Sequence, residues 1–287
     1  MTSLRIVSID VGLKTFSLCC EAFDLAQLKS SAPAKRYGDY GGATPEFEKF
    51  VIDVGACGEL VHLEKTDLGE KKDIFTGVAF LNLYNWLDAL KEKNVFEDID
   101  CVLVEAQMKT NHIATALMHH LHAWFLMTYR GEKIVKLYPS KNKTRVLGMP
   151  LKMINRNQKL TKATKYQRKK WSVEMCKKIL EARNDEANIK NIWVTNKAKK
   201  DDLCDTVMQC LSYVVNQVLS SSGKGENKTK TKTKTKTKSE KVEKTKAKTK
   251  AKKKSSNSGT KTVKKRTKKV KAKSPTKLDE LNKMLGL

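Results

Sequence analysis

Four carboxylates stand where folding by itself gives little reason for them. Asp10 ends the β-branched run from Leu4 (LRIVSID), and Glu105 ends a second apolar run that starts at Asp100 (DCVLVE). Asp202 and Asp205 open a segment whose other side is apolar, with Leu203, Val207, Leu211, Val214 and Val218. Their i, i+3 spacing puts both on one helical face. Two neighbouring strands and one helix beside them would bring all four together. Such a group repels itself at neutral pH unless divalent cations neutralise it. Hard oxygen ligands select Mg²⁺, with Mn²⁺ able to substitute. Two ions held about 3.5–4 Å apart form the clamp used in phosphodiester hydrolysis. Taken singly, each residue has a plainer role: Asp10 as a turn cap before Gly12, Asp202 and Asp205 as partners of a helix dipole. Glu105 is harder to set aside, because an acid ending an apolar strand needs a partner.

The elements that must position these residues follow from periodicity. Leu4 to Asp10 and Thr15 to Glu21 read as a β-hairpin, and Phe50 to Val54 as a weaker third strand. Pro33 to Pro45 reads as a loop. Phe75 to Lys91 and Asn111 to Tyr129 have helical spacing. Between them Asp100 to Glu105 reads as a strand buried on both faces, and Lys133 to Tyr138 as a fifth strand closed by Pro139. Trp171 to Ala182 and Lys200 to Leu219 are further helices. This order implies an α/β fold with a mixed five-stranded sheet and helices on both faces.

Charge divides the chain in two. The 287 residues carry a formal net charge of +27, and residues 221–287 supply 25 Lys/Arg against 5 Asp/Glu. That segment alternates Lys and Thr from Lys228 to Lys238 and has no aromatic residue, so it is expected to be a disordered basic C-terminal tail. Lysine blocks release counterions on meeting a polyphosphate and bind nucleic acid without sequence preference. Residues 1–220 are the expected folded domain, 221–277 the tail. Residues 278–287, with Leu278, Leu281 and Leu285, are a short amphipathic segment that could dock another protein or fray.

Seven cysteines lie scattered with no Cys-x-x-Cys pair, which argues for a reducing compartment and against a zinc knuckle or disulfide framework. No charged-then-apolar signal region and no membrane-spanning run are visible. An intracellular, non-secreted protein is expected, at a viral replication site or in the nucleus rather than in mitochondria, since no Arg-rich transit segment stands at the N-terminus.

Three short motifs, in this order, resemble the RuvC-type Holliday junction resolvases. These are Ile6-Val-Ser-Ile-Asp10-Val-Gly12, Val104-Glu105-Ala-Gln107 with Asn111 following, and Lys199-Lys-Asp-Asp202-Leu-Cys-Asp205 with Gln209 following. The nearest flavour is the type of poxviruses, other large DNA viruses and fungal mitochondria, and the resemblance spans about residues 4–217. It implies an RNase H-like (retroviral-integrase-like) fold and a homodimer that cuts two strands of branched DNA symmetrically. It also implies metal-ligand roles for Asp10, Glu105, Asp202 and Asp205. Lys143 falls where the family has a functional lysine. Lys141, Arg145, Lys165, Arg168, Lys169 and Lys170 are further candidates for DNA contact, each with a solvated surface lysine or arginine as the plainer alternative. Asp201, just before Asp202, is an outer ligand or a cap.

Other classes fit less well. An actin- or hexokinase-type ATPase needs a later glycine-rich phosphate loop, and here the later motif is acidic. A noncatalytic DNA-binding protein leaves the carboxylates unexplained. An RNase H-like nuclease acting on flaps, forks or hybrids is the nearer rival, because the metal site serves all of them.

Overall fold

The computed structural model describes residues 3–154 and 159–222. The expected tail begins two residues late, since Ser221 and Ser222 still belong to the last helix; its remainder and the amphipathic segment at 278–287 lie outside the described residues. No helix among those described is long and apolar enough to cross a membrane.

Strands β1 (Ser3–Asp10), β2 (Phe16–Asp24), β3 (Gly58–Thr66), β4 (Cys101–Ala106) and β5 (Ile134–Pro139) form one sheet in the order β3-β2-β1-β4-β5. The β1–β2 and β2–β3 pairs are antiparallel, and β1–β4 and β4–β5 are parallel. This is the mixed five-stranded sheet expected from the order of the elements. Helices α1 (Pro45–Ala56), α2 (Lys71–Thr76), α3 (Val78–Glu92) and α4 (His112–Tyr129) connect its strands. After β5 come α5 (Asn142–Arg145), a small hairpin of β6 (Lys152–Ile154) and β7 (Leu160–Lys162), α6 (Lys165–Ala182), α7 (Glu186–Lys190) and α8 (Lys200–Ser222).

The two-residue period of the strands sorts their side chains between two cores. Leu4, Ile6, Cys19, Cys101 and Leu103 face α1, α6 and α8, whereas Val7, Ile9, Leu18, Val102 and Val104 face α3 and α4. By the same alternation Asp10 and Glu105 belong to the α8 face.

The third strand is a correction. Phe50 to Val54 is helix, and β3 begins later, at Gly58. Phe47, Phe50, Val51 and Val54 are buried at i, i+3, i+4 and i+7, a helical stripe. Thr44 Oγ1 caps it by accepting from the Phe47 amide, with Pro45 in the first turn. The expected helix from Phe75 is broken at Gly77, whose φ of 82° is left-handed. Helix α6 starts at Lys165 rather than Trp171, because Thr164 and Gln167 form a capping box ahead of the apolar residues.

Under α8 lies an ion pair that the fold must carry. Arg183 Nη2 donates to Glu21 Oε2 at 3.1 Å with both side chains almost wholly buried, and Arg183 Nε donates to the Gly55 carbonyl at 2.8 Å. Burial raises the Glu21 carboxyl above its ordinary value, and the Arg183 charge only partly offsets this. Replacing Arg183 by Met is expected to cost roughly 3–5 kcal/mol, because Glu21 is left buried and unpaired. Since its folded pKa lies above the unfolded one, Glu21 costs stability as pH rises through that window. Denaturation of the Arg183→Met variant should therefore show its largest deficit at pH 8 and a smaller one near pH 4.

Candidate active site

The carboxylates meet because of register. In the parallel β1–β4 pair Ile9 lies opposite Val104, so Asp10 and Glu105 follow side by side at the carboxyl ends of their strands. Helix α8 is fastened above them by Gln209, whose Nε2 donates to the Leu103 carbonyl at 3.0 Å and to the Ile9 carbonyl at 3.5 Å. One turn earlier on the same face is Asp205, which therefore stands over the strand ends. Helix α5 follows β5, the neighbour of β4, and delivers Lys143 from the third side.

Lys143 Nζ lies 3.0 Å from Glu105 Oε1 and 2.9 Å from Asp205 Oδ2, and the side chain is buried. It is the counter-cation of the cluster. Gln107 Nε2 donates to the second oxygen of Glu105 at 3.0 Å, and Ser172 Oγ donates to Asp205 Oδ1 at 2.9 Å. Burial pushes the Asp10 carboxyl well above the usual range, against the pull of Lys143 and with the help of its hydrogen bond to Glu105. Burial also opposes ionisation of Glu105, yet the hydrogen bond with Asp10 and the Lys143 charge together hold it below its ordinary value. Lys143 is desolvated, but the surrounding carboxylates keep it above the ordinary lysine value. Of the two hydrogen-bonded carboxyls, Asp10 is thus the one that burial disposes to hold a proton.

Asp202 stands apart from this trio. It lines the same cleft, but its surroundings are Thr15, Asp201 and Lys169. Burial and the Asp201 charge raise its carboxyl. Asp201 pairs with Lys169, which outweighs its desolvation and holds it low. Asp10, Glu105 and Asp205 are thus packed around Lys143, with Asp202 at the rim.

The cleft measures about 490 Å³, and its walls are basic. Lys141, Lys143, Lys165, Arg168 and Lys169 line it together with all four carboxylates. Lys165, Arg168, Lys169 and Ser172 recur at i, i+3, i+4 and i+7, so α6 turns one face to the cleft. Arg145 is exposed and does not line the cleft, and Lys170 faces a neighbouring groove. Ser172, Gln107 and Thr15 were missed as site residues in the sequence. The i, i+3, i+4, i+7 pattern on α6 was the available signal for Ser172.

The donor set suits a hard divalent cation: carboxylate oxygens from β1, β4 and α8 crowd around the Lys143 ammonium. A second set, Cys19, Glu21 and Cys210, has ligand atoms within 4.8 Å of one another. It is sealed in the core, burial raises both thiols, and Glu21 is already held by Arg183. That set does not fit a hydrated Mg²⁺.

No family model matches the chain. The curated "Uncharacterized protein 97L" of Invertebrate iridescent virus 3 is 32% identical over 133 residues, which cover 46% of this chain and 56% of that protein. The chain thus spans about half the length of the relative it matches. Two solved structures are similar to this chain at low identity. The fowlpox virus resolvase in complex with Holliday junction DNA is 16% identical, with 75% of this chain and 99% of that one covered and a TM-score of 0.40. The T. thermophilus RuvC in complex with a Holliday junction substrate is 14% identical, with 75% and 96% covered and a TM-score of 0.41.

Proposed function

We propose that this chain is a divalent-metal-dependent endonuclease that cuts branched DNA, four-way junctions in particular, as a homodimer. The observation that carries the reading is one cleft in which Asp10, Glu105 and Asp205 converge below a wall of lysine and arginine. Acids that bind cations and bases that bind phosphates are there juxtaposed on the scale of one phosphodiester.

Asp10, Glu105 and Asp205 would hold two Mg²⁺ ions, with Asp202 joining from the rim and Mn²⁺ able to substitute. When bound, such ions supply the charge that activates water and stabilises the leaving 3′-oxygen. The protein's own part is positional. Gln107 and Ser172 each occupy one carboxylate oxygen and so fix the ring of acids. Lys141, Lys165, Arg168 and Lys169 would grip the phosphates on either side, and Arg145 and Lys170 would extend that contact beyond the cleft. Lys143 neutralises Glu105 and Asp205 until a cation competes for them. Preference for junctions rests on the three ordered motifs, and symmetric cutting requires two copies. The basic tail would add salt-sensitive affinity, and the segment at 278–287 would be a docking element. The relative encoded by a virus favours a viral replication site for an intracellular protein.

The test is cleavage of a labelled four-way junction in Mg²⁺, beside linear duplex, flap and RNA–DNA hybrid. Paired, ligatable nicks on the junction support the reading. Preference for flaps or hybrids moves the enzyme to another nuclease class, and binding without cutting leaves a noncatalytic DNA-binding protein.

Proton occupancy sets the pH dependence. Asp10 holds its proton above the usual carboxylate range, and a cation must displace it. Mg²⁺ affinity should therefore rise with pH and release protons on binding. Calorimetric titrations in buffers of different ionisation enthalpy would measure both, and affinity that falls with pH would contradict the assignment.

A further inference from the structure

Helix α6 has a second working face. Tyr166, Lys170, Val173 and Lys177 recur at i, i+4, i+7 and i+11, next to the face that lines the cleft. They line a groove of about 510 Å³, closed on its other side by Trp193, Lys197 and Lys200. Lys169 and Asp201 belong to this groove, and Lys169 lines the cleft as well, so the two spaces adjoin across that side chain. Tyr166 is 76% exposed, although an aromatic ring normally gains by burial. Lys197 and Lys200 make no ion pair among the described residues.

We propose that this groove takes one unpaired nucleotide of a DNA strand leaving the cleft, its base stacked on Tyr166 against the Trp193 wall and its phosphate held by Lys197 and Lys200. The inference rests on the reading of the cleft as a DNA-cutting site. Its own basis is the combination of aromatic faces and uncommitted cations. Aromatic rings offer any base a stacking platform, whereas duplex DNA hides its base faces and gains only from the lysines. At a crossover the stack is interrupted between arms, so a base there is freed at less cost than inside a continuous duplex.

The test measures binding by the full chain without metal. The probes are a labelled single-stranded oligothymidylate of about ten nucleotides, within the usual length range for such sites, and a blunt duplex. Tyr166→Ala should weaken the single strand by roughly tenfold or more, leave duplex affinity unchanged, and be rescued by Tyr166→Phe, which keeps the ring. Since Tyr166 is exposed, its replacement leaves the fold intact, checked by an unchanged melting temperature. Equal affinity of Tyr166→Ala and wild type for the single strand, equal loss on both probes, or no single-strand binding by wild type overturns the proposal. The cleavage assay is independent: a wild type that shows the Tyr166 effect yet cuts no DNA sinks the nuclease reading and leaves the groove standing.

Discussion

Replacing Asp10 by Asn is expected to lower Mg²⁺-dependent DNA cleavage by roughly a thousandfold or more, while the protein without metal becomes no less stable. The two effects share one cause. Asp10 is desolvated at the end of β1, which pushes its carboxyl well above the usual range, and it is hydrogen-bonded to Glu105. An asparagine amide can donate that same hydrogen bond without ever having to ionise. The substitution therefore copies the metal-free state and removes the ability to leave it. Sites that concentrate like charge for function commonly give up stability in this way. Measured in EDTA, the melting temperature should stay level or rise. Measured against Mg²⁺, the stabilisation that a bound ligand gives the native state should shrink or vanish. A variant that melts as wild type does and still cuts DNA would remove Asp10 from the metal site.

Replacing Lys143 by Met should have the opposite signature. Lys143 contacts Glu105 and Asp205 at 3.0 and 2.9 Å with its side chain only 9% exposed, so its loss leaves two poorly solvated carboxylates without their cation. Breaking one side of a buried ion pair typically costs about 3–5 kcal/mol. At roughly 2–4 °C per kcal/mol for a domain of this size, the melting temperature in EDTA should fall by about 10 °C. Part of the loss is recoverable by proton uptake, so the deficit should be smaller at acid pH, where the exposed repulsion is titrated away. Divalent cations offer a second rescue. If the acids form a metal site, Mg²⁺ should restore much of the stability of Lys143→Met and bind it more tightly than wild type, because no ammonium competes for Glu105 and Asp205. A deficit that Mg²⁺ leaves untouched would mean that Lys143 holds α5 in place and nothing more.

Much of the scaffold was legible in the sequence because it is locally encoded. Short β-branched runs located β1 and β4, helical spacing located α4 and α8, and a carboxylate at the end of an apolar strand drew attention to Asp10 and Glu105. Where local signals competed, the reading slipped. Phe50 to Val54 has strand-like composition, and only with Phe47 and the Thr44 cap in the same frame does its helical period emerge. The α6 start was hidden in a lysine-rich stretch whose polar composition masked the capping box at Thr164 and Gln167.

Which of four acids touch, and which lysine of many touches them, was beyond local pattern. Asp202 and Asp205 share a helical face, yet only Asp205 reaches the Glu105–Lys143 cluster, because Gln209 seats α8 on the carbonyls of Ile9 and Leu103. Only the resemblance had set Lys143 apart; its burial beside Glu105 follows from its place on α5 once β5 lies next to β4, whereas Lys141, just before that helix, stays exposed. The residue types and the order of the elements are properties of the chain read end to end. Contacts between residues far apart in that chain depend on strand order, helix seating and the competition between burial and charge, so the tertiary structure alone decided them.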